Sequence, residues 1–121
     1  MSTNPTWEKF QTATVTLARS GPIKDRLTDA YRNHLAQIDE QDLPQELRAE
    51  FRAFHHALTR ERPLVRGEDS LRATVRKISS EEAEDLACAV VQMFGALPRS
   101  VPAAPRSKIS AQVVPLYIAE A

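Results

Sequence analysis

The chain has 121 residues, with 16 basic and 16 acidic side chains and a formal net charge of zero. No global field therefore draws it onto nucleic acid or an anionic membrane, and any electrostatic partner must meet a local patch. The length suits one domain with a real core and is short for two. The lone cysteine, Cys88, excludes an intrachain disulfide and suits a reducing compartment. The opening MSTNPTWEKF has neither the basic nor the apolar block of a secretory signal, and no apolar run approaches the ~20 residues of a membrane span. A cytoplasmic location is expected.

Asn4 followed by Pro5 reads as a helix cap and first residue, because the fixed φ and missing amide of proline cost nothing there. Trp7, Phe10, Thr14 and Leu17 recur at helical spacing, although TATVTL is rich in β-branched residues that favour extended backbone. Gly21 and Pro22 close this helix and open a second, with Ile23, Leu27, Ala30, Tyr31, His34, Leu35 and Ile38 on one arc. The acidic break IDEQDLPQ follows, where Asp42 is positioned to cap and Pro44 to occupy the first turn of a third helix. That helix is expected to run to about Glu61 with Leu43, Leu47, Phe51, Phe54 and Leu58 as its stripe.

Pro63 and Gly67 make a turn, and Asp69 or Ser70 caps a short fourth helix carrying Leu71, Val75 and Ile78. Ser79 with Glu82 three residues on is a capping box that starts a fifth helix. Its apolar residues are Ala83, Leu86, Ala87, Val90, Val91, Phe94 and Leu97, and Gly95 and Pro98 end it. Pro98, Pro102, Pro105 and Pro115 then mark a change of composition: PRSVPAAPRSK has the make-up of a linker, whereas AQVVPLYIA is apolar enough to dock. The predicted fold is all-α, a compact bundle of about five helices, four longer and one short. It divides into a helical domain over residues 1–97 and a Pro-rich linker with an apolar C-terminal tail over 98–121. The alternative is a small α+β domain pairing residues 12–17 with 112–118.

Chemistry is harder to find. His55 and His56 are neighbours and point about 100° apart on a helix, with no His, Asp or Glu one turn away to complete a metal site. His34 falls in an apolar arc and reads as a core histidine, the sharper alternative being a pH-sensitive switch. Cys88 projects near Glu81, Glu84 and Gln92, an acidic setting that does not activate a thiol. Glu81, Glu82, Glu84 and Asp85 lie in the first turns of a helix, where negative charge is favoured in any case. Glycines at 21, 67 and 95 build no phosphate loop. No catalytic, cofactor-binding or metal residue is assigned, and a non-enzymatic protein is expected.

Charge patterning says more. Residues 39–47 carry Asp39, Glu40, Asp42 and Glu46; residues 48–77 are net basic; residues 78–97 are acidic again. Arg48, Arg52, Arg72 and Arg76 fall away from the apolar stripes, as a solvated face paired to the flanking acidic segments or as a docking surface. The expected function is a protein–protein interaction module, a small adaptor or regulatory subunit. It would use that basic face together with Val113, Val114, Leu116, Tyr117 and Ile118 of the tail to bind a protein partner or a further copy of itself. A linker longer than a fold-back onto an adjacent helix requires makes a second chain the expected host of the tail. The alternative is a helix-turn-helix-like nucleic-acid regulator with Arg72, Thr74, Arg76 and Lys77 near the groove, disfavoured by the zero net charge and a long connection. A weaker alternative is an enzyme whose site forms only in an oligomer.

Overall fold

A computed structural model of the chain describes residues 4–99. They form five α-helices, α1 (Pro5–Leu17), α2 (Ile23–Asn33), α3 (Gln45–Leu58), α4 (Ser70–Lys77) and α5 (Ser80–Ala96). Two 3-10 turns, Leu35–Gln37 and Glu40–Asp42, lie between α2 and α3, and no strand occurs among the described residues. The fold is thus the all-α bundle, and the α+β alternative fails because residues 12–17 belong to α1. The apolar run 113–118 lies outside the described residues.

Asn4 caps α1 by accepting from the Thr6 amide at 3.1 Å, with Pro5 at the first helical position. The β-branched run stays helical because Phe10, Ala13 and Leu17 are buried. Burial of a side chain such as Phe10, worth ~1.5–3 kcal/mol, outweighs propensity differences of at most ~0.7 kcal/mol per residue. The hydroxyls of Thr12, Thr14 and Thr16 donate to the carbonyls of Glu8, Phe10 and Thr12, which removes their pull toward other backbone geometries. Gly21, at φ +112°, makes the turn that follows. From α2, the Arg26 guanidinium reaches back to the carbonyls of Leu17 at 2.6 Å and Gly21 at 2.8 Å, satisfying the open end of α1.

The second helix is shorter than its apolar arc. It ends at Asn33, and His34 (φ −130°, ψ −51°) leaves helical geometry before the 3-10 turn. Leu35 and Ile38 remain buried, so the tighter pitch redirects the chain toward α3 without giving up the core positions. His34 therefore sits half-buried at a helix end, beside Thr12, Thr16, Arg19 and Asn33, and is not a core histidine. Asp42 belongs to the second 3-10 turn, which Asp39 caps through the Gln41 amide at 2.9 Å, and α3 starts after Pro44 with no side-chain cap.

α3 stops at Leu58, short of Glu61. The reason is in α4: the Thr74 hydroxyl, fully buried, accepts from the Glu61 amide at 2.9 Å and donates to the Ser70 carbonyl at 2.8 Å. Backbone that would have continued α3 is held by α4 instead. Asp69 caps α4 through the Arg72 amide at 2.9 Å. Ser79 caps α5 through the Glu82 amide at 2.9 Å, but the return half of the box is replaced, because the Glu82 carboxylate takes Arg60 at 2.9 Å.

The expected stripes of α3 and α4 are buried throughout. Along α5 the buried line runs Ala83, Ala87, Val90 and Met93 and continues to Leu97 at the C-cap, while Leu86 and Phe94 are half-buried and Val91 stays 48% exposed. Met93 had no place in the expected stripe. The centre of the face is set by α1, α2 and α3 packing on it together, and this turns Val91 to the edge beside α1. Aromatic contacts tie the layers: Phe10 meets Phe51 edge-on at 6.1 Å, Tyr31 meets Phe54 at 6.0 Å, and Trp7 meets Phe94 at 5.2 Å. The ends of the described chain are joined, since Asn4 donates from its amide to the Arg99 carbonyl at 2.9 Å and from its side chain to the Pro98 carbonyl at 3.2 Å.

Candidate interaction surfaces

The four arginines expected to form a basic face lie in two different settings. Arg48 and Arg52 project from α3 onto the segment that precedes it: Arg48 donates to the carbonyls of Leu43 at 3.1 Å and Gln41 at 3.3 Å, and Arg52 pairs with Glu40. Arg72 and Arg76 instead line a polar cleft of about 630 Å³ against α2, with Lys24, Asp25, Thr28, Asp29 and Glu68. Arg76 pairs there with Glu68, whose side chain is only 8% exposed and whose Oε1 has no partner among the described residues. Intramolecular pairing takes up much of the positive charge, as Arg32 holds Asp69, Arg60 holds Glu82 and Lys77 holds Glu61.

Where pairing stops is more informative. Arg62, Arg66 and Arg72 make no ion pair with a described residue, and all three are exposed. Between the first two lie Leu64 and Val65, 73% and 58% exposed. Pro63 and Gly67 (φ +83°) hold this segment as a loop between α3 and α4, where neither helix covers it. The spacing of charge points to this region, whereas the loop apolar pair carries no sequence signal because no helical or strand period contains it.

A second exposed surface lies between α1 and α5. Leu17, Ala18, Ile23, Ala87 and Val91 line a largely apolar groove of about 640 Å³, with Arg26, Glu84, Cys88 and Gln92 among the polar residues around it. Cys88 is exposed there, beside Glu84 and Gln92 as its helical position implied.

Other sequence candidates are dispersed. The Tyr31 hydroxyl hydrogen-bonds His55 Nδ1, which engages that ring in packing α2 on α3, and burial pushes the Tyr31 phenol above its ordinary value. Among the described residues no group of three or more His, Cys, Asp or Glu is gathered to hold a metal ion, and no helix is long and apolar enough to cross a membrane. For the helix-turn-helix alternative, residues 59–69 separate α3 from α4, well beyond the ~3–4-residue turn of such motifs. Thr74 is sealed in the core, and Arg76 and Lys77 are held in ion pairs. No protein-family model, curated protein or solved structure matches the chain.

Asp69 links these surfaces to stability. The Arg32 guanidinium, donating at 2.8 and 3.3 Å, and next the Arg72 amide hold its carboxyl below the ordinary carboxylate value. A folded-state pKa below the unfolded one contributes stability that is fully present above about 3.9 and is lost as pH falls through the lower folded value. Asp69→Ala is expected to cost ~0.5–2 kcal/mol near neutral pH through the lost cap, and Asp69→Asn less, because Asn also caps. Both should flatten the acid limb of the stability curve, checked by urea midpoints from neutral to strongly acid pH. An acid limb unchanged in Asp69→Asn would remove the Arg32 pairing from the account.

Proposed function

We propose that the chain is a non-enzymatic protein–protein interaction module, a small adaptor or regulatory subunit of the cytoplasm, that docks through its basic helical surface and its apolar C-terminal segment. The observation that carries this reading is the α3–α4 loop, where Leu64 and Val65 stand exposed between two arginines that have no described ion-pair partner. Two large apolar side chains in water forgo burial that only another molecule, or a rearrangement of the loop, would recover. The fitting partner is a protein surface with an apolar centre and an acidic rim. Arg62, Arg66 and Arg72 would steer the encounter and Leu64 and Val65 would hold it. Arg48, Arg52 and Arg76 would join only by exchanging the internal partners they already have.

The test combines Arg62→Glu, Arg66→Glu and Leu64→Ser in the full chain. Folding is expected to be unaffected, with helical circular dichroism and thermal midpoint as in the parent, because none of the three is buried. Capture of protein partners from a nuclease-treated extract is expected to be lost. Undiminished capture at low ionic strength, where screening is weakest, would sink the reading. Capture that vanishes with nuclease alone would transfer it to nucleic acid.

A further inference from the structure

The composition of residues 113–118 calls for an apolar host, no described residue fills the α1–α5 groove, and the path of the chain relates the two. The described chain leaves the bundle at Arg99, whose carbonyl is held by the Asn4 amide and whose guanidinium lies 5.2 Å over the Trp7 ring, at the N-terminal end of α1. The groove lies toward the other end of the same helix, beginning at Thr14 and passing Leu17 to Ile23. At 1.5 Å per residue along α1 the separation is about 15–20 Å. Residues 100–112 would span about 20 Å as a flexible coil and about 40 Å if polyproline-like. A tether binds its own site best when its natural span matches or modestly exceeds the distance. The length that made a second chain the expected host is the length needed to pass along α1.

We propose that residues 113–118, Val-Val-Pro-Leu-Tyr-Ile, occupy the α1–α5 groove of their own chain. An extended run places Val114, Leu116 and Ile118 on one side, facing Leu17, Ile23, Ala87 and Val91. Pro115 has no amide to satisfy and so needs no strand partner. Own-chain docking is favoured over a second copy because a tether of this length presents the segment at roughly millimolar effective concentration. The inference deepens the function proposed above and rests on it: in the isolated module the apolar segment is latched, and a partner gains it only by displacing it from the groove.

Cys88, exposed in the groove wall and the only cysteine of the chain, reports the latch directly. Its reaction rate with Ellman's reagent is expected to be about tenfold lower in the full chain than in a chain ending at Arg106, as a ~1 mM effective concentration against a ~0.1 mM intrinsic affinity implies. The full-length double variant Leu116→Asp, Ile118→Asp should show the same rise without shortening, and a synthetic peptide of residues 109–121 should restore protection to the truncated chain. Rates are compared between chains of equal helical circular dichroism, and light scattering should give a monomer for each. Equal rates in all chains would overturn the proposal. Protection that grows with protein concentration, accompanied by a dimer mass that truncation abolishes, would overturn it in favour of a second copy. The α3–α4 loop variants should keep Cys88 protected, so the latch and the docking function can fail separately.

Discussion

Leu27→Ala is expected to destabilise the protein by about 2–5 kcal/mol, the range for a buried leucine whose removal leaves a cavity that the surroundings only partly close. Leu27 has no exposed surface and sits in the middle of α2, the helix that packs against α1, α4 and α5 at once. The neighbouring Lys24→Ala serves as the control, since Lys24 lies one turn earlier on the rim of the polar cleft, and its loss should shift stability by no more than about 0.5 kcal/mol. Urea denaturation with both midpoints and slopes separates the two. Equal midpoints would mean that α2 does not present this face to the core.

The second large effect is expected at Thr74. Its hydroxyl, with no exposed surface, accepts from the Glu61 amide and donates to the Ser70 carbonyl, so it closes the gap between the end of α3 and the start of α4. Thr74→Val keeps the shape and removes both bonds. The Ser70 carbonyl retains its place in the helix, but the part-buried Glu61 amide loses its acceptor, and since a fully buried unsatisfied donor costs about 1–3 kcal/mol, the lower part of that range is expected. Thr74→Ser, which keeps the hydroxyl, should recover most of it. Amide hydrogen exchange at Glu61 gives a local readout: protection is expected in the parent and in Thr74→Ser and lost in Thr74→Val. Retained protection in the valine variant would mean that the amide finds another acceptor and that residues 59–61 are not held by α4.

What could be read from the residues alone was local. The caps Asn4, Asp69 and Ser79 each satisfy an amide two or three residues away, so their signal lies wholly within one turn of chain. The apolar spacing of Leu47, Phe51, Phe54 and Leu58 is likewise a property of one helix. The features that escaped depend on a second element. Nothing near His34 breaks a helix, and α2 ends there because a 3-10 turn brings Leu35 and Ile38 into the core by a different path. Arg26 looks like an ordinary surface residue until the end of α1 arrives beside it. Thr74 looks polar and exposed until Glu61 turns toward it. The surfaces were legible to the same extent: charge blocks are visible in one dimension, whereas which arginines are spent on Glu40, Glu68 and Glu82 follows only from the packed helices. The α1–α5 groove is assembled from residues some seventy positions apart and had no signal in either helix by itself.

The joining of Asn4 to Arg99 also bears on how the molecule comes together. α1 and α2 meet through a short turn, so their pairing closes a small loop, whereas the contact of Trp7 with Phe94 links the two extremes of the domain. Closing the larger loop costs roughly 2 kcal/mol more in chain entropy, so it is expected to wait until the intervening helices have shortened the distance between the ends. A contact made that late contributes little to the folding barrier and much to the unfolding one. The Trp7–Phe94 clasp is then less a source of speed than of persistence: weakening it should leave folding about as fast while shortening the lifetime of the folded state.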